Sequence, residues 1–185
     1  MITKHNVPIY SICWLNHAEG GMIGTFYEPE TKWELIDLCQ SLYKEGKRFD
    51  LIGYTSNRYF LPSYNSEVMV STRKVRNVHY SEDLIIADCG VSVSTLARKM
   101  VNEGVKGFEG LIDLPGTVAA SVYGNASCYN CSVNALLDSF ELLRPDGGIV
   151  WMKPEDLKLS KRSSAMKRGE WGGNSLCCFT KRARR

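Results

Sequence analysis

Residues 107–129 read Gly-Phe-Glu-Gly-Leu-Ile-Asp-Leu-Pro-Gly-Thr-Val-Ala-Ala-Ser-Val-Tyr-Gly-Asn-Ala-Ser-Cys-Tyr. A Pro115-Gly116 turn precedes a run of small residues, then Gly124-Asn125 and Tyr129. Small side chains let a ligand approach the main chain, and glycine takes a positive φ at no steric cost. Pro-Gly followed by Thr117 predicts a short helix whose first N–H groups lack helical partners and attract an anion. Upstream, Gly53-Tyr-Thr-Ser-Asn57 follows the apolar run Phe49–Ile52. It offers main-chain donors, the Ser56 hydroxyl and the Asn57 amide. Taken alone it also reads as a plain strand-ending loop. Two such loops in one chain point to a bulky, phosphate-bearing cofactor.

These loops need elements to hold them. Pro8–Leu15 and Met22–Tyr27 read as short strands around a Glu19-Gly-Gly21 turn. Thr31-x-x-Glu34 is a capping box, with Leu35, Leu38, Cys39 and Leu42 at helical spacing and a stop near Gly46. Phe49–Ile52 reads as a buried strand running into the 53–57 loop. Glu67–Thr72 and Asp83–Cys89 read as strands. Ser92 or Ser94 caps a helix bearing Val93, Leu96, Ala97 and Met100, which ends at Asn102-Glu-Gly104. Leu136–Leu143 and Ile149–Met152 form a hairpin about Pro145-Asp-Gly-Gly148, and Pro154 opens a short helix. The pattern is α+β with two lobes. The lobes divide softly near residue 75, residues 1–170 form the domain, and residues 171–185 form an unassigned basic tail.

Composition narrows the function classes. The chain has 185 residues, 44% hydrophobic and 23% charged, ordinary for a globular domain. Its longest apolar runs fall well short of the roughly 20 residues needed to span a bilayer, and Met1–Asn6 lacks a secretion-signal pattern. The expectation is a cytoplasmic protein with no membrane partner. Formal net charge is +3; removing the four charges of Lys181, Arg182, Arg184 and Arg185 leaves −1 for residues 1–180. A basic terminus with no interleaved aromatics reads as a solvated, frayed end, so no nucleic-acid partner is expected.

The seven cysteines, at scattered spacings, do not form a disulfide framework. Cys128-Tyr-Asn-Cys131 is a C-x-x-C that Cys177-Cys178 could complete into a zinc site, but adjacent cysteines chelate poorly. They read as small apolar residues, and no metal is expected. A small zinc- or nucleic-acid-associated protein stays as the contrasting function class.

Four blocks, in order, resemble the UDP-N-acetylenolpyruvoylglucosamine reductase (UDP-N-acetylmuramate dehydrogenase) family. Gly53-Tyr-Thr-Ser-Asn57 is similar to its Gly-x-Gly-Ser-Asn loop. Ala87-Asp-Cys-Gly-Val91 with Leu96 resembles its Ala-Gly-x-Gly strand and helix. Gly107-Phe-Glu-Gly-Leu, Pro115-Gly-Thr-Val118 and Asn125-Ala-Ser-Cys-Tyr129 resemble its Gly-x-x-Gly-Leu, Ile-Pro-Gly-x-Val-Gly-Gly and Asn-x-Gly-Ala-Tyr-Gly. Lys161-Arg162-Ser-Ser164-x-x-Lys167 resembles Tyr-Arg-x-Ser-x-(Phe/Leu)-Lys. Asn16…Gly20-Gly21 is a looser echo of a further motif. The resemblance implies a two-lobed FAD-binding fold of the vanillyl-alcohol-oxidase or PCMH type. It implies FAD as cofactor, with NADPH and a UDP-sugar as reaction partners, in peptidoglycan precursor synthesis. The implied cofactor contacts are Gly53, Tyr54, Thr55, Ser56, Asn57, Pro115, Gly116, Thr117, Val118, Ala120 and Asn125. Tyr129 would face the nucleotide sugar, or else is a core tyrosine. Arg162 would stabilise the enolic intermediate that follows hydride transfer, or else belongs to a solvated basic face with Lys158, Lys161, Lys167 and Arg168.

The chain also departs from that pattern. Thr55, Ala119, Ser127 and Asn130 stand where the family has glycine, and Lys161 replaces a tyrosine. The added side chains are expected to shift, weaken or abolish flavin binding. The family's proton-donor serine and assisting glutamate belong to a C-terminal substrate domain, which has no counterpart in these 185 residues. The expectation is a truncated reductase, its substrate domain lost or supplied separately, or a vestigial flavin-fold module without turnover.

Overall fold

The computed structural model describes residues 1–13, 15, 21–81, 84–171 and, for the main chain alone, 176–182. The first sheet holds β1 (Ile2–Pro8), β2 (Met22–Glu28), β3 (Asp50–Ile52) and β4 (Ser66–Ser71), in the order β1-β2-β4-β3. β1 pairs antiparallel with β2, and β4 lies parallel to both β2 and β3. The β3–β4 connection runs through the 53–57 loop. The second sheet holds β5 (Val78–Tyr80), β6 (Leu84–Ala87), β9 (Ser139–Leu143), β10 (Ile149–Met152) and β11 (Leu176–Arg182), all antiparallel, in the order β10-β9-β11-β6-β5. A separate small hairpin joins β7 (Ser127–Cys128) to β8 (Cys131–Ser132).

Helix α1 (Lys32–Lys44) starts at Thr31, whose hydroxyl accepts the Glu34 N–H at 3.2 Å. The Glu34 carboxylate reaches back to accept from the Glu30 N–H at 2.8 Å. Leu35, Ile36, Cys39 and Leu42 form its buried stripe. Its other contacts reach the second sheet: Lys32 pairs with Glu141, and Gln40 donates to the Gly147 carbonyl at 2.7 Å. α1 thus bridges the two sheets. One apolar core includes Leu35 and Leu42 of α1, Val68 and Val70 of β4, Ile85 of β6 and Phe140 and Leu142 of β9. Helices α2 (Val93–Asn102) and α3 (Val118–Tyr123) add Leu96, Met100 and Val122 to it. A smaller cluster of Ile9, Cys13, Ile23, Phe26, Ile52, Phe60 and Met69 accompanies the first sheet.

Several elements differ from the sequence reading. The first strand ends at Pro8, and Ile9–Ser11 is a 3₁₀ turn in which Ile12 and Cys13 donate to the Ile9 carbonyl. Ile9, Ile12 and Cys13 recur at a helical spacing, so their apolar run is a turn and not a strand. Trp14 and the Glu19-Gly20 part of the expected turn lie outside the described residues. Residues 134–136 form a 3₁₀ turn, so β9 begins only at Ser139. β5, β7 and β8 were not expected. β11 runs between β9 and β6, where a frayed terminus was expected. The main chains of β6 and β9 each need a partner on that side, and Leu-Cys-Cys-Phe-Thr is composed of residues that suit a strand.

Candidate functional site

The 53–57 loop is secured from behind. Asp50, on β3, accepts from Arg58 Nη2 at 2.9 Å, Tyr64 OH at 2.7 Å and Ser66 Oγ at 2.7 Å. Arg58 also donates to the Leu51 carbonyl at 3.0 Å and lies over the Phe60 ring. Arg73, just past β4, donates from Nε to the Gly53 carbonyl at 2.8 Å and from Nη2 to the carbonyl of Ile12 and the hydroxyl of Thr55. No carboxylate among the described residues pairs with the Arg73 guanidinium. Burial works against its charge and lowers its pKa.

Thr55 sits at φ 56°, a left-handed conformation that glycine would adopt freely. It is buried, and its hydroxyl donates to the Tyr54 carbonyl at 2.7 Å while accepting from Arg73 at 3.3 Å. The side chain that replaces glycine is turned inside the protein, onto the Tyr54 carbonyl and Arg73. The main-chain N–H groups of Tyr54, Ser56 and Asn57 have no hydrogen-bond partner among the described residues.

The 115–120 segment meets this loop directly. Ser56 Oγ donates to the Pro115 carbonyl at 3.2 Å. A Cβ added at Gly53 would stand 2.5 Å from Thr117 Oγ1, so the Thr117 side chain packs onto the Gly53 main chain as closely as only glycine permits. Gly116 takes φ 136°, and the position of its absent side chain meets only Ser56 Oγ at 3.6 Å and Ser121 Oγ at 3.7 Å.

The donors of this second segment differ from the sequence expectation. The amides of Val118 and Ala119 are taken by the carbonyls of Val91 and Cys89, and that of Ala120 by Thr117 Oγ1. The start of α3 is thereby tied to the β6–α2 connection and offers no free helix-start amides at 118–120. The amides left without partners among the described residues are those of Gly116 and Thr117. Val118 is buried and serves the core. Ala119 is also buried, so its methyl group occupies core space and not a ligand path. Thr55 and Ala119 are both buried, and their side chains pack inside the protein.

At the far end of α3, Asn125 donates to the Ser160 carbonyl at 2.9 Å and accepts from Asn134 Nδ2 at 3.1 Å. Ser164, fully buried, donates to the Tyr123 carbonyl at 2.7 Å. These bonds seat the tight turn between Ser160 and Ser163 against α3. Arg162 occupies that turn at φ 58° with its side chain exposed and unpartnered among the described residues, while its carbonyl accepts from Lys167 Nζ at 2.9 Å. Tyr129 is 80% exposed at the tip of the β7–β8 hairpin, which removes the core-tyrosine alternative.

Arg73 and Asp50 were not singled out from sequence. Asp50 and Arg58 bracket the loop at an interval of eight with no local pattern to mark them. Arg73 lies twenty residues from the carbonyl it holds.

This geometry, two main-chain loops closed on one another across two lobes, is that of a flavin-nucleotide domain. The chain belongs to the FAD binding domain family, whose pattern matches residues 24–153. It is similar to the UDP-N-acetylenolpyruvoylglucosamine reductase of Caldicellulosiruptor saccharolyticus, 30% identical over 148 residues, covering 80% of this chain and 48% of that protein. The corresponding reductase of a Nostoc species is 30% identical over 153 residues, covering 82% of this chain and 46% of its own length. The chain spans about half the length of the curated relatives it matches. Among solved structures, the reductase from Thermus caldophilus superposes with TM-score 0.74 at 20% identity, over 99% of this chain and 62% of that one. Cholesterol oxidase from Brevibacterium sterolicum superposes with TM-score 0.61 at 9% identity, over 86% and 34%. The fold is the PCMH type, and the family's cofactor is FAD. No helix of the described residues is long and apolar enough to cross a membrane.

Proposed function

We propose that this chain is the flavin-holding part of a UDP-N-acetylenolpyruvoylglucosamine reductase. The observation that supports this best is the junction of Gly53 with Thr117 and of Ser56 with Pro115. It gathers the amides of Tyr54, Ser56, Asn57, Gly116 and Thr117, which have no hydrogen-bond partner among the described residues, around one glycine-lined contact. Such amides suit a diphosphate bridge, because an anion accepts main-chain hydrogen bonds that no protein group supplies. The half-buried Arg73 charge behind the loop adds attraction for an anion in front of it.

Bound FAD would supply hydride transfer from NADPH to the enolpyruvyl double bond of a UDP-sugar. The chain's own residues would bind and orient. Gly53–Asn57 and Pro115–Thr117 would hold the diphosphate. Val118, Ala120 and Asn125 would act through α3 and the turn it seats, and not as direct donors. Tyr129 would meet the nucleotide sugar from its exposed turn. The Arg162 guanidinium, charged at all working pH, would hold the carboxylate and the enolate oxygen through parallel hydrogen bonds. A cytoplasmic setting, where NADPH is available, accompanies this reading.

A second reading is a flavin-binding module without turnover. One experiment separates the two. The purified 185-residue chain is titrated with FAD, followed by flavin fluorescence, then assayed for NADPH oxidation dependent on UDP-N-acetylglucosamine enolpyruvate. Saturable FAD binding that ADP competes away supports the flavin site. Turnover then supports the complete reductase, and binding without turnover the module. Absence of saturable binding overturns both.

A further inference from the structure

Cys128 and Cys131 are directly opposed across the β7–β8 hairpin. The two residues between them, Tyr129 and Asn130, have φ of 44° and 62°, the two positive values of a type I′ turn. A β-turn brings its end residues within about 7 Å, and directly opposed strand residues stand about 4.5–5.5 Å apart between Cα atoms. A disulfide needs about 4.4–6.8 Å. Directly opposed residues also project from the same face of the ladder. On that face lies Gly110: a Cβ there would stand 2.8 Å from Cys131 Sγ and 2.7 Å from the Cys128 carbonyl. The missing side chain at 110 leaves the sulfur its room.

The setting differs from that of the other described cysteines. Cys13, Cys39 and Cys89 are buried, whereas Cys128 and Cys131 are half-exposed. Among the described residues no group of three or more His, Cys, Asp or Glu is suited to a metal ion.

We infer that Cys128 and Cys131 form a dithiol site that reacts with low-molecular-weight disulfides and closes to an intramolecular disulfide. One thiolate attacks a sulfur of the small disulfide, breaking its S–S bond, forming a mixed disulfide and releasing one small thiol. The second thiolate attacks the protein sulfur of that mixed disulfide, forming the Cys128–Cys131 bond and releasing the second small thiol. The pair loses two electrons, the small disulfide gains two, and the two thiol protons end on the released thiols. The product pins both ends of the turn that carries Tyr129. The inference stands on the hairpin alone and does not depend on the flavin reading.

The test equilibrates the full chain, with and without FAD, in mixtures of reduced and oxidised glutathione. Free thiols are alkylated under denaturing conditions, and the tryptic fragment Gly107–Lys158, which runs past Arg144 and Lys153 because each precedes a proline and which holds these two cysteines and no others, is weighed. The expected result is one transition from a doubly alkylated to an unalkylated fragment, without glutathione retained, at the same midpoint whether FAD is present or not. Cys128→Ser is expected to stop at a glutathione adduct on Cys131. Stable adducts on both cysteines of the unaltered chain, two free thiols in fully oxidised glutathione, or a cross-link to the fragment bearing Cys177 and Cys178 would each overturn the inference.

Discussion

The hydroxyl of Thr55 lies 3.3 Å from Nη2 of Arg73, and through that contact a strained residue is held by a half-buried cation. A left-handed conformation costs a non-glycine residue about 1–2 kcal/mol. Here the hydroxyl's two hydrogen bonds, to Arg73 and to the Tyr54 carbonyl, offset that cost. Arg73→Met removes the donor to Gly53, Ile12 and Thr55 together and is expected to destabilise the chain by about 2–4 kcal/mol. Thr55→Gly is expected to change stability by less than about 1 kcal/mol, strain relief cancelling the lost bonds and the added chain entropy. The double variant should fall short of the sum of the singles, because Thr55→Gly removes a shared partner. Urea unfolding of the four proteins measures the coupling; strict additivity would mean the contact carries no energy.

Gly53 marks where the lobes touch, and its replacement tests whether that closeness is required. In Gly53→Ala the new methyl group would start 2.5 Å from Thr117 Oγ1, which is itself occupied by the Ala120 amide. The neighbour cannot swing away without losing the α3 cap. Overpacking of this kind costs about 1–3 kcal/mol. FAD affinity is expected to fall at least about tenfold, because about 1.4 kcal/mol of misplacement at the junction suffices for that. Flavin fluorescence titration reads it. Gly116→Ala, with 3.6 Å of space but φ 136°, should lose stability through its backbone.

Much of this site was legible before any coordinates. Pro115-Gly116-Thr117 and Gly53–Asn57 announce themselves because close main-chain approach demands glycine and small residues in sequence order. Thr31 and Ser92 cap their helices as their side chains dictate. What stayed hidden depends on tertiary proximity. The Asp50–Arg58–Tyr64–Ser66 network and the hold of Arg73 on Gly53 join residues that no periodicity links. The amides of Val118 and Ala119 looked free because their acceptors, Val91 and Cys89, lie more than twenty-five residues upstream. Glycine-to-threonine at 55 looked obstructive because sequence does not show that its hydroxyl turns inward.

Asp88 supplies a pH signature. Burial raises its carboxyl pKa, partly offset by the N–H of Asn77 donating to Oδ2 at 3.1 Å. A carboxyl whose folded pKa lies above its unfolded value favours folding while both states are protonated, and loses that advantage as pH rises through the folded pKa. Asp88 therefore opposes stability at neutral pH and ceases to do so in acid. Asp88→Asn keeps an oxygen to accept from Asn77 and removes the charge. It is expected to raise the urea midpoint at pH 7, with the gain shrinking toward zero below about pH 4. A gain independent of pH would assign the effect to packing instead.

Arg162 is where folding and chemistry can be read apart. Its exposed side chain has no partner among the described residues, while its main chain is fixed by the Ser160–Ser163 turn and by Lys167. Arg162→Ala is expected to leave folding free energy within about 0.5 kcal/mol of the unaltered chain. FAD affinity should also change little if Gly53–Asn57 and Pro115–Thr117 hold the diphosphate, since Arg162 belongs to neither segment. Binding of UDP-N-acetylglucosamine enolpyruvate to the FAD-loaded chain should fall by about 1.5–3 kcal/mol, the worth of a charge-assisted pair to its carboxylate. Arg162→Lys should recover only part of it, because an ammonium does not match a carboxylate with two parallel bonds. Calorimetric titration of the three proteins decides the matter: equal affinities would return Arg162 to the solvated basic face formed with Lys158, Lys161, Lys167 and Arg168.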